Sequence, residues 1–146
     1  DETASEDLRR SFEPIKGHGR VLLMDDSADI LRAGRRMFGA LGYDCTIAHD
    51  GDSALKIFSE AIESKNPFAA AILDLTVPGG KGAIETAKEM RALDPRVKLL
   101  VSSGYEMSEV IEKPGEYGFD GALKKPYDMI KSSMVIYCAL KDRSGR

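Results

Sequence analysis

Short, continuous apolar runs alternate with longer amphipathic segments along most of this sequence. The runs at 21–24, 68–73 and 97–101 are apolar at nearly every position, which is typical of parallel strands that are buried on both faces. In the first amphipathic segment, at 28–41, apolar side chains recur at helical spacing and arginines take the opposite face. This alternation of strand and helix predicts an α/β fold with a doubly wound parallel sheet.

The alternation predicts five βα units. The expected strands are 20–25, 43–48, 68–74, 97–101 and 120–124, and the expected helices are 28–41, 51–64, 81–92, 106–113 and 127–141. Residues 1–19 mix charged residues with proline and glycine and show no periodicity, which indicates a polar linker or tail. We therefore expect one domain over 20–141, followed by a C-terminal tail at 142–146.

The bulk composition fits one domain with one core, since 146 residues are 42% hydrophobic and 31% charged. The net charge of -3 and the lack of a basic stripe argue against direct contact with nucleic acid or anionic lipid. No run approaches the ~20 apolar residues of a membrane span, and the acidic N-terminus does not resemble a signal peptide. We expect a cytoplasmic domain that could be part of a longer chain.

Cysteine and histidine give no pattern of a metal or redox site. Cys45 and Cys138 are far apart and fall in or near predicted apolar elements, so we expect two buried, reduced thiols. His18 lies in the predicted linker and His49 near a helix start, and neither position suggests catalysis.

Polar side chains cluster at the predicted ends of the strands. Asp25 and Asp26 end the first strand, Asp74 ends the third, and Ser102 and Lys125 follow the fourth and fifth. The carboxyl ends of parallel strands meet at one edge of a sheet, where ligands of such folds bind. The sequence therefore brings all five residues to one site.

Three acids at one site stay ionised only where cations compensate them, and Mg²⁺ prefers carboxylates, waters and phosphate oxygens. Asp74 is the candidate nucleophile, because a carboxylate can attack a phosphoryl group and hold it as a mixed anhydride. Lys125 would give a positive charge to that group, and the Ser102 hydroxyl could hydrogen-bond to its oxygens.

Each of these residues also has a structural interpretation. Asp26 and Ser27 could form an ordinary helix N-cap with Asp25 as an exposed neighbour, and Asp74 could open the turn before Pro78. Ser102 could belong to a turn, and Lys125 could be solvated like Lys124. The convergence of all five on one edge favours the functional interpretation.

Over about 120 residues, from Arg20 to Leu140, the sequence resembles the receiver domain of two-component response regulators. The resemblance consists of an acidic pair after strand one, Asp74 after strand three, Ser102 after strand four and Lys-Pro after strand five. The stretches at 73–82 and 101–105 are most similar to the receiver modules of hybrid sensor histidine kinases.

The resemblance implies a flavodoxin-like (βα)5 fold with strand order 2-1-3-4-5. It implies that Asp74 accepts a phosphoryl group from a phosphohistidine, that Asp26 and Asp74 bind Mg²⁺ directly, that Asp25 binds it through water, and that the Thr76 carbonyl completes the site. Ser102 and Lys125 would contact the phosphoryl oxygens. The added charge would then shift an equilibrium of the face from strand four to helix five, and Lys125-Pro126 is a candidate cis bond.

Two positions depart from the family pattern. Ala122 stands where receivers often carry an aromatic side chain that turns inward on activation, so Tyr105 is a candidate to take over part of that signal. Lys81 stands where related kinase receivers often have methionine, and a solvated lysine is the simplest interpretation.

The expected partners are a sensor histidine kinase or a histidine phosphotransfer domain, with the rest of a parent chain and a homodimer as further candidates. Whether the domain counts as an enzyme, through Mg²⁺-dependent phosphotransfer and autodephosphorylation, is left open by the sequence. Three alternative functions are compatible with an α/β sheet of this kind. An aspartate-nucleophile phosphatase lacks its second acid at Thr76, an FMN carrier would meet three repelling acids after strand one, and a pseudo-receiver would use the fold only for docking.

Overall fold

The computed structural model describes residues 13–75, 82–104 and 109–141. Thr76, Lys81 and Tyr105 lie outside these ranges, as do residues 1–12 and 142–146, so the linker, the tail and the domain boundaries stay predictions. The strands are β1 Gly19–Met24, β2 Tyr43–Ala48, β3 Ala70–Asp74, β4 Lys98–Ser103 and β5 Gly121–Lys124. The helices are α1 Ala28–Ala40, α2 Gly51–Glu63, α3 Ala83–Leu93, α4 Glu109–Glu112 and α5 Met129–Lys141, with a 3-10 turn at Pro114–Tyr117.

All five strands are parallel and form one sheet in the order β2-β1-β3-β4-β5, which confirms the predicted fold class. Most element bounds agree with the predictions to within two residues, the usual uncertainty of such assignments. The largest difference is the fourth helix, expected at 106–113, of which the described part is a short helix at Glu109–Glu112 followed by a 3-10 turn. Pro114 limits the helix here, because its ring cannot continue the hydrogen-bond pattern.

The sheet is buried on both faces, as the continuous apolar runs predict. Leu22 and Met24 of β1 point into one core cluster, which includes Phe58 of α2 and Met90 of α3. Val21 and Leu23 point into the other cluster, which includes Phe38 of α1 and Ile136 of α5. Helices α1 and α5 therefore cover one face of the sheet and α2 and α3 cover the other, because side chains alternate along a strand.

Short segments outside the helices and strands also contact this domain. The backbone N–H of Ile15 donates to Ser133 Oγ at 2.9 Å, and the N–H of Gly17 donates to the carbonyl of Leu41 at 2.8 Å. The predicted linker thus runs against α1 and α5 over its last residues. None of the helices in 13–75, 82–104 and 109–141 has the length and hydrophobicity of a membrane span.

The prediction of two buried thiols is only half right. Cys45 is buried and Cys138 is exposed, and both are free. The inward positions of α5 are Ser132, Ser133, Ile136 and Ala139, and Cys138 lies off this face because a helix turns about 100° per residue. Burial raises the pKa of the Cys45 thiol to about 12, so it stays protonated at neutral pH.

Candidate functional site

The five predicted site residues lie at the carboxyl-end edge of the sheet, at the ends of β1, β3, β4 and β5. Backbone hydrogen bonds continue the sheet past the strand ends: the N–H of Asp25 donates to Ala48, that of Leu75 to Ser102, and that of Lys125 to Ser103. These bonds fix the direction in which the chain leaves each strand. They thereby hold residues that are up to 100 positions apart in sequence at one place.

Lys125 joins two buried carboxylates. Its Nζ donates to Asp25 Oδ2 at 3.0 Å and to Asp74 Oδ1 at 3.1 Å, and both aspartate side chains are fully buried while the lysine is 13% exposed. Burial by itself would lower the pKa of Lys125, but the hydrogen bonds to the two carboxylates and their charges outweigh it, so the pKa is raised. Lys125 is therefore a firmly charged ammonium group between two acids.

Asp25 and Asp26 have different environments although they are adjacent in sequence. Asp25 accepts from the backbone N–H of Ser27 at 2.9 Å through Oδ1 and from Lys125 through Oδ2, whereas Asp26 is exposed. Ser27 is the N-cap of α1, and its hydroxyl accepts from the N–H of Ile30 at 3.3 Å. The N-cap interpretation is right for Ser27 and wrong for Asp25, which is buried rather than an exposed neighbour of the cap.

The three acids form a group that suits a hard divalent cation. Oxygen atoms of Asp25, Asp26 and Asp74, one from each, lie within 4.8 Å of one another. Three carboxylates and the ammonium group of Lys125 together carry two negative charges, which one Mg²⁺ ion would balance, and carboxylate oxygens are ligands that this ion prefers. The residues present therefore fit Mg²⁺; the Thr76 carbonyl is outside the described residues.

Ser102 lies in β4 rather than after it, and it is fully buried. It is the sheet neighbour of Asp74 in the β3–β4 register, and paired residues of adjacent strands place their side chains on the same face, with strands about 4.8 Å apart. The structure thus brings Ser102 beside Asp74 and excludes the turn interpretation. Lys125 is followed by a cis bond to Pro126, as the resemblance suggests.

Tyr127 is a residue of this site that sequence reasoning missed, because it was assigned to the start of the last helix. Its hydroxyl donates to Ser102 Oγ at 3.2 Å, and α5 begins only at Met129. Its position just past Lys125-Pro126 was the available signal, since residues that follow a parallel strand lie near the same edge of the sheet.

The sequence matches the family model of the response regulator receiver domain over residues 21–134. It is 28% identical over 110 residues to the transcriptional regulatory protein CpxR of Klebsiella pneumoniae, covering 75% of this chain and 44% of that protein. It is 27% identical over 124 residues to the sporulation initiation phosphotransferase F of Bacillus subtilis, covering 84% of this chain and 95% of that one.

A sensor histidine kinase, RcsC of Escherichia coli, is 28% identical over 119 residues, which are 80% of this chain and 12% of the kinase. The chain thus spans less than half the length of several relatives. Among solved structures, a response regulator receiver domain protein from Clostridium thermocellum matches with a TM-score of 0.75 at 20% identity, over 86% of this chain and 97% of that one. That likeness shows the fold.

Receiver domains generally bind Mg²⁺ at a cluster of aspartates and interact with histidine kinases or phosphotransfer proteins, and the acidic group described above is of this kind. The resemblance found in the sequence is therefore confirmed, and it extends both to separate response regulators and to a kinase that contains a receiver. With its fold, its acidic group and a family match over most of its length, this chain belongs to the response regulator receiver domains of two-component signalling.

Proposed function

We propose that Asp74 is the phosphoacceptor of this receiver domain and takes its phosphoryl group from a phosphohistidine. The observation that carries the proposal is the pair of hydrogen bonds from Lys125 Nζ to Asp25 and Asp74. They hold a buried carboxylate, a fixed positive charge and a second acid at one point of the sheet edge.

In the transfer, a carboxylate oxygen of Asp74 forms a bond to phosphorus while the bond from phosphorus to the imidazole nitrogen breaks. The electron pair of the broken bond stays on that nitrogen, so the histidine leaves as a neutral or protonated imidazole. When bound, Mg²⁺ would neutralise part of the negative charge on the phosphoryl oxygens. Hydrolysis of the acyl phosphate by water returns the domain to its initial state.

The side chains divide this work according to their positions. Asp26 and Asp74 would hold Mg²⁺ directly, Asp25 through a water molecule, and the Thr76 carbonyl would complete the ligand set. Lys125, already charged between two carboxylates, would move to a phosphoryl oxygen, and the Ser102 hydroxyl would donate to another. Ser102 lies in β4 and Lys125 directly follows β5, so the surface from β4 to α5 would respond.

The phosphodonor would be a sensor histidine kinase or a histidine phosphotransfer domain, with the rest of a longer parent chain as another partner. The same surface from β4 to α5 would also be the interface of a homodimer, if phosphorylation leads to one. The free thiols of Cys45 and Cys138 suit a reducing compartment, which supports a cytoplasmic site of action.

The test is the intact mass of the protein after incubation with acetyl phosphate, with and without Mg²⁺. We expect one phosphoryl adduct in the wild type that needs Mg²⁺, and none in Asp74→Asn, which keeps the shape of the side chain but is a far weaker nucleophile. Asp44→Asn removes an exposed acid of β2 and is the matched control. An adduct that survives Asp74→Asn would show that another residue is the acceptor, and no adduct in any variant would favour a pseudo-receiver used for docking.

A further inference from the structure

Tyr127 places a phenol hydroxyl inside the candidate site. Its oxygen lies 3.2 Å from Ser102 Oγ and donates to it, and Ser102 is in turn the sheet neighbour of Asp74. Ala122, on the edge strand β5, has no polar side-chain atom that could make this contact. Among the described residues, Tyr127 is therefore the aromatic residue whose side chain hydrogen-bonds to the site.

The ring of Tyr127 is held in place by α1. It packs against Phe38 with ring centroids 6.1 Å apart and ring planes inclined by 58°. Gly34 leaves room beside it, since a Cβ there would lie 3.4 Å from Tyr127 Cε2 and only 2.5 Å from Leu23 Cδ2. The hydroxyl thus has a fixed direction toward Ser102, which a flexible surface tyrosine would lack.

The hydrogen bond from Tyr127 leaves the proton of Ser102 available for a second hydrogen bond. Each hydroxyl carries one proton and can accept with its lone pairs. When Tyr127 donates to Ser102 Oγ, the Ser102 proton is not needed for that bond and can point toward a group on Asp74. Burial raises the pKa of Tyr127 more than the hydrogen bond with Ser102 lowers it, and the charges of Asp25 and Asp74 raise it further, so the phenol keeps its proton at neutral pH.

We infer that Tyr127 is a positioning residue for phosphoryl transfer. Its hydroxyl donates to a lone pair of Ser102 Oγ, and the serine hydroxyl is thereby oriented with its proton toward a phosphoryl oxygen. The inference rests on the proposed function, because it concerns the same acceptor. It assigns a task to a residue at the start of the last loop, and it links the site to α1 through the contacts with Phe38 and Gly34.

The test is the rate of adduct formation with acetyl phosphate over a range of donor concentrations in the full chain. Tyr127→Phe removes one oxygen atom and keeps the ring in place. We expect the maximal rate to fall about three- to tenfold, the effect of one lost hydrogen bond in the transition state, with little change in the half-saturating donor concentration. Tyr43→Phe is the matched control, since the Tyr43 hydroxyl is buried without a hydrogen-bond partner among the described residues.

Substitutions of Ser102 separate positioning from a general loss of structure. Tyr127→Phe should have its full effect in a Ser102→Thr background, which keeps the hydroxyl, and no effect in a Ser102→Ala background, which removes it. Two results would overturn the inference while leaving Asp74 as the acceptor. One is an equal loss of rate with serine, threonine or alanine at the position of Ser102, and the other is a Tyr127→Phe rate equal to that of Tyr43→Phe. A wild type without any adduct would overturn both proposals.

Discussion

The two edges of the sheet use charged side chains in opposite ways. At the amino-end edge, Arg91 of α3 donates to the carbonyls of Val97 and Gly118 and to Asp120 Oδ2, and Asp120 also accepts from the backbone N–H of Leu99. One cation meets one anion, and both are tied to the backbone. This is the arrangement of a structural ion pair, because each of these partly buried charges has partners.

At the carboxyl-end edge, three acids meet one lysine. Lys125 bonds to Asp25 and Asp74, and Asp26 adds a third carboxylate within 4.8 Å of theirs. The ammonium group of Lys125 carries one positive charge against these three negative ones, and such an excess costs stability unless another cation compensates it. The comparison teaches that a balanced cluster stabilises the fold, whereas an unbalanced one prepares a ligand site.

Removing Asp120 should give the largest change in stability. We expect Asp120→Ala to lower the free energy of unfolding by about 2–3 kcal/mol, because it leaves Arg91 and the Leu99 N–H without this partner. Urea denaturation measures the effect. Asp44→Ala is the control: Asp44 is 76% exposed and lies 3.8 Å from Arg20 Nε, so a loss below about 1 kcal/mol is expected. A similar loss in both variants would show that Asp120 stabilises the fold no more than an exposed acid does.

Removing an acid at the carboxyl-end edge should raise the free energy of unfolding instead of lowering it. Without divalent cations, we expect Asp26→Asn to stabilise the domain by about 0.5 kcal/mol, the size of an interaction between exposed charges. Mg²⁺ at ten times its dissociation constant should raise the free energy of unfolding of the wild type by about 1.4 kcal/mol, and much less in Asp26→Asn.

Urea denaturation with Mg²⁺ or with a chelator gives both quantities, and Asp52→Asn, an exposed acid of α2, is the control. A destabilised Asp26→Asn variant without Mg²⁺ would show that the three carboxylates do not repel one another enough to matter.

The pH dependence of the Lys125 contacts should be the smallest effect near neutrality. A group whose pKa is raised on folding contributes its full stability below its unfolded value and loses it as the pH rises through the folded value. For Lys125 the ordinary value is 10.5 and the pKa is raised. The difference in unfolding free energy between wild type and Lys125→Met should therefore be constant from neutral pH up to 10.5 and shrink above it. A difference that already shrinks between pH 7 and 9 would contradict a raised pKa.

Local pattern was enough to predict where the site lies. Continuous apolar runs end just before Asp25 and Asp74, Lys125 follows the last predicted strand, and parallel strands all present their carboxyl ends at one edge. The pattern was less informative for helices, since Cys138 lies in an apolar segment and yet faces outward from α5. Packing fixes the rotation of a helix about its axis, and a short, mixed sequence does not.

Contacts between distant residues could not be predicted in the same way. Nothing local distinguishes Asp25 from Asp26, yet one is fully buried and bonded to Lys125 and the other is exposed. The hydrogen bond from Tyr127 to Ser102 joins a loop to a strand that precedes it by 25 residues. It depends on where Phe38 and Gly34 place the ring.

By itself, the sequence determined the fold class and the edge of the sheet at which the functional residues lie, because strand and helix periods are properties of the local backbone. The family followed from the resemblance of the residues at the strand ends to those of receiver domains. Only the tertiary structure decided which acid turns inward, which two carboxylates share Lys125, and which hydroxyl contacts Ser102. These choices depend on the exit direction of each strand and on the packing of elements far apart in the chain, and no local period encodes them.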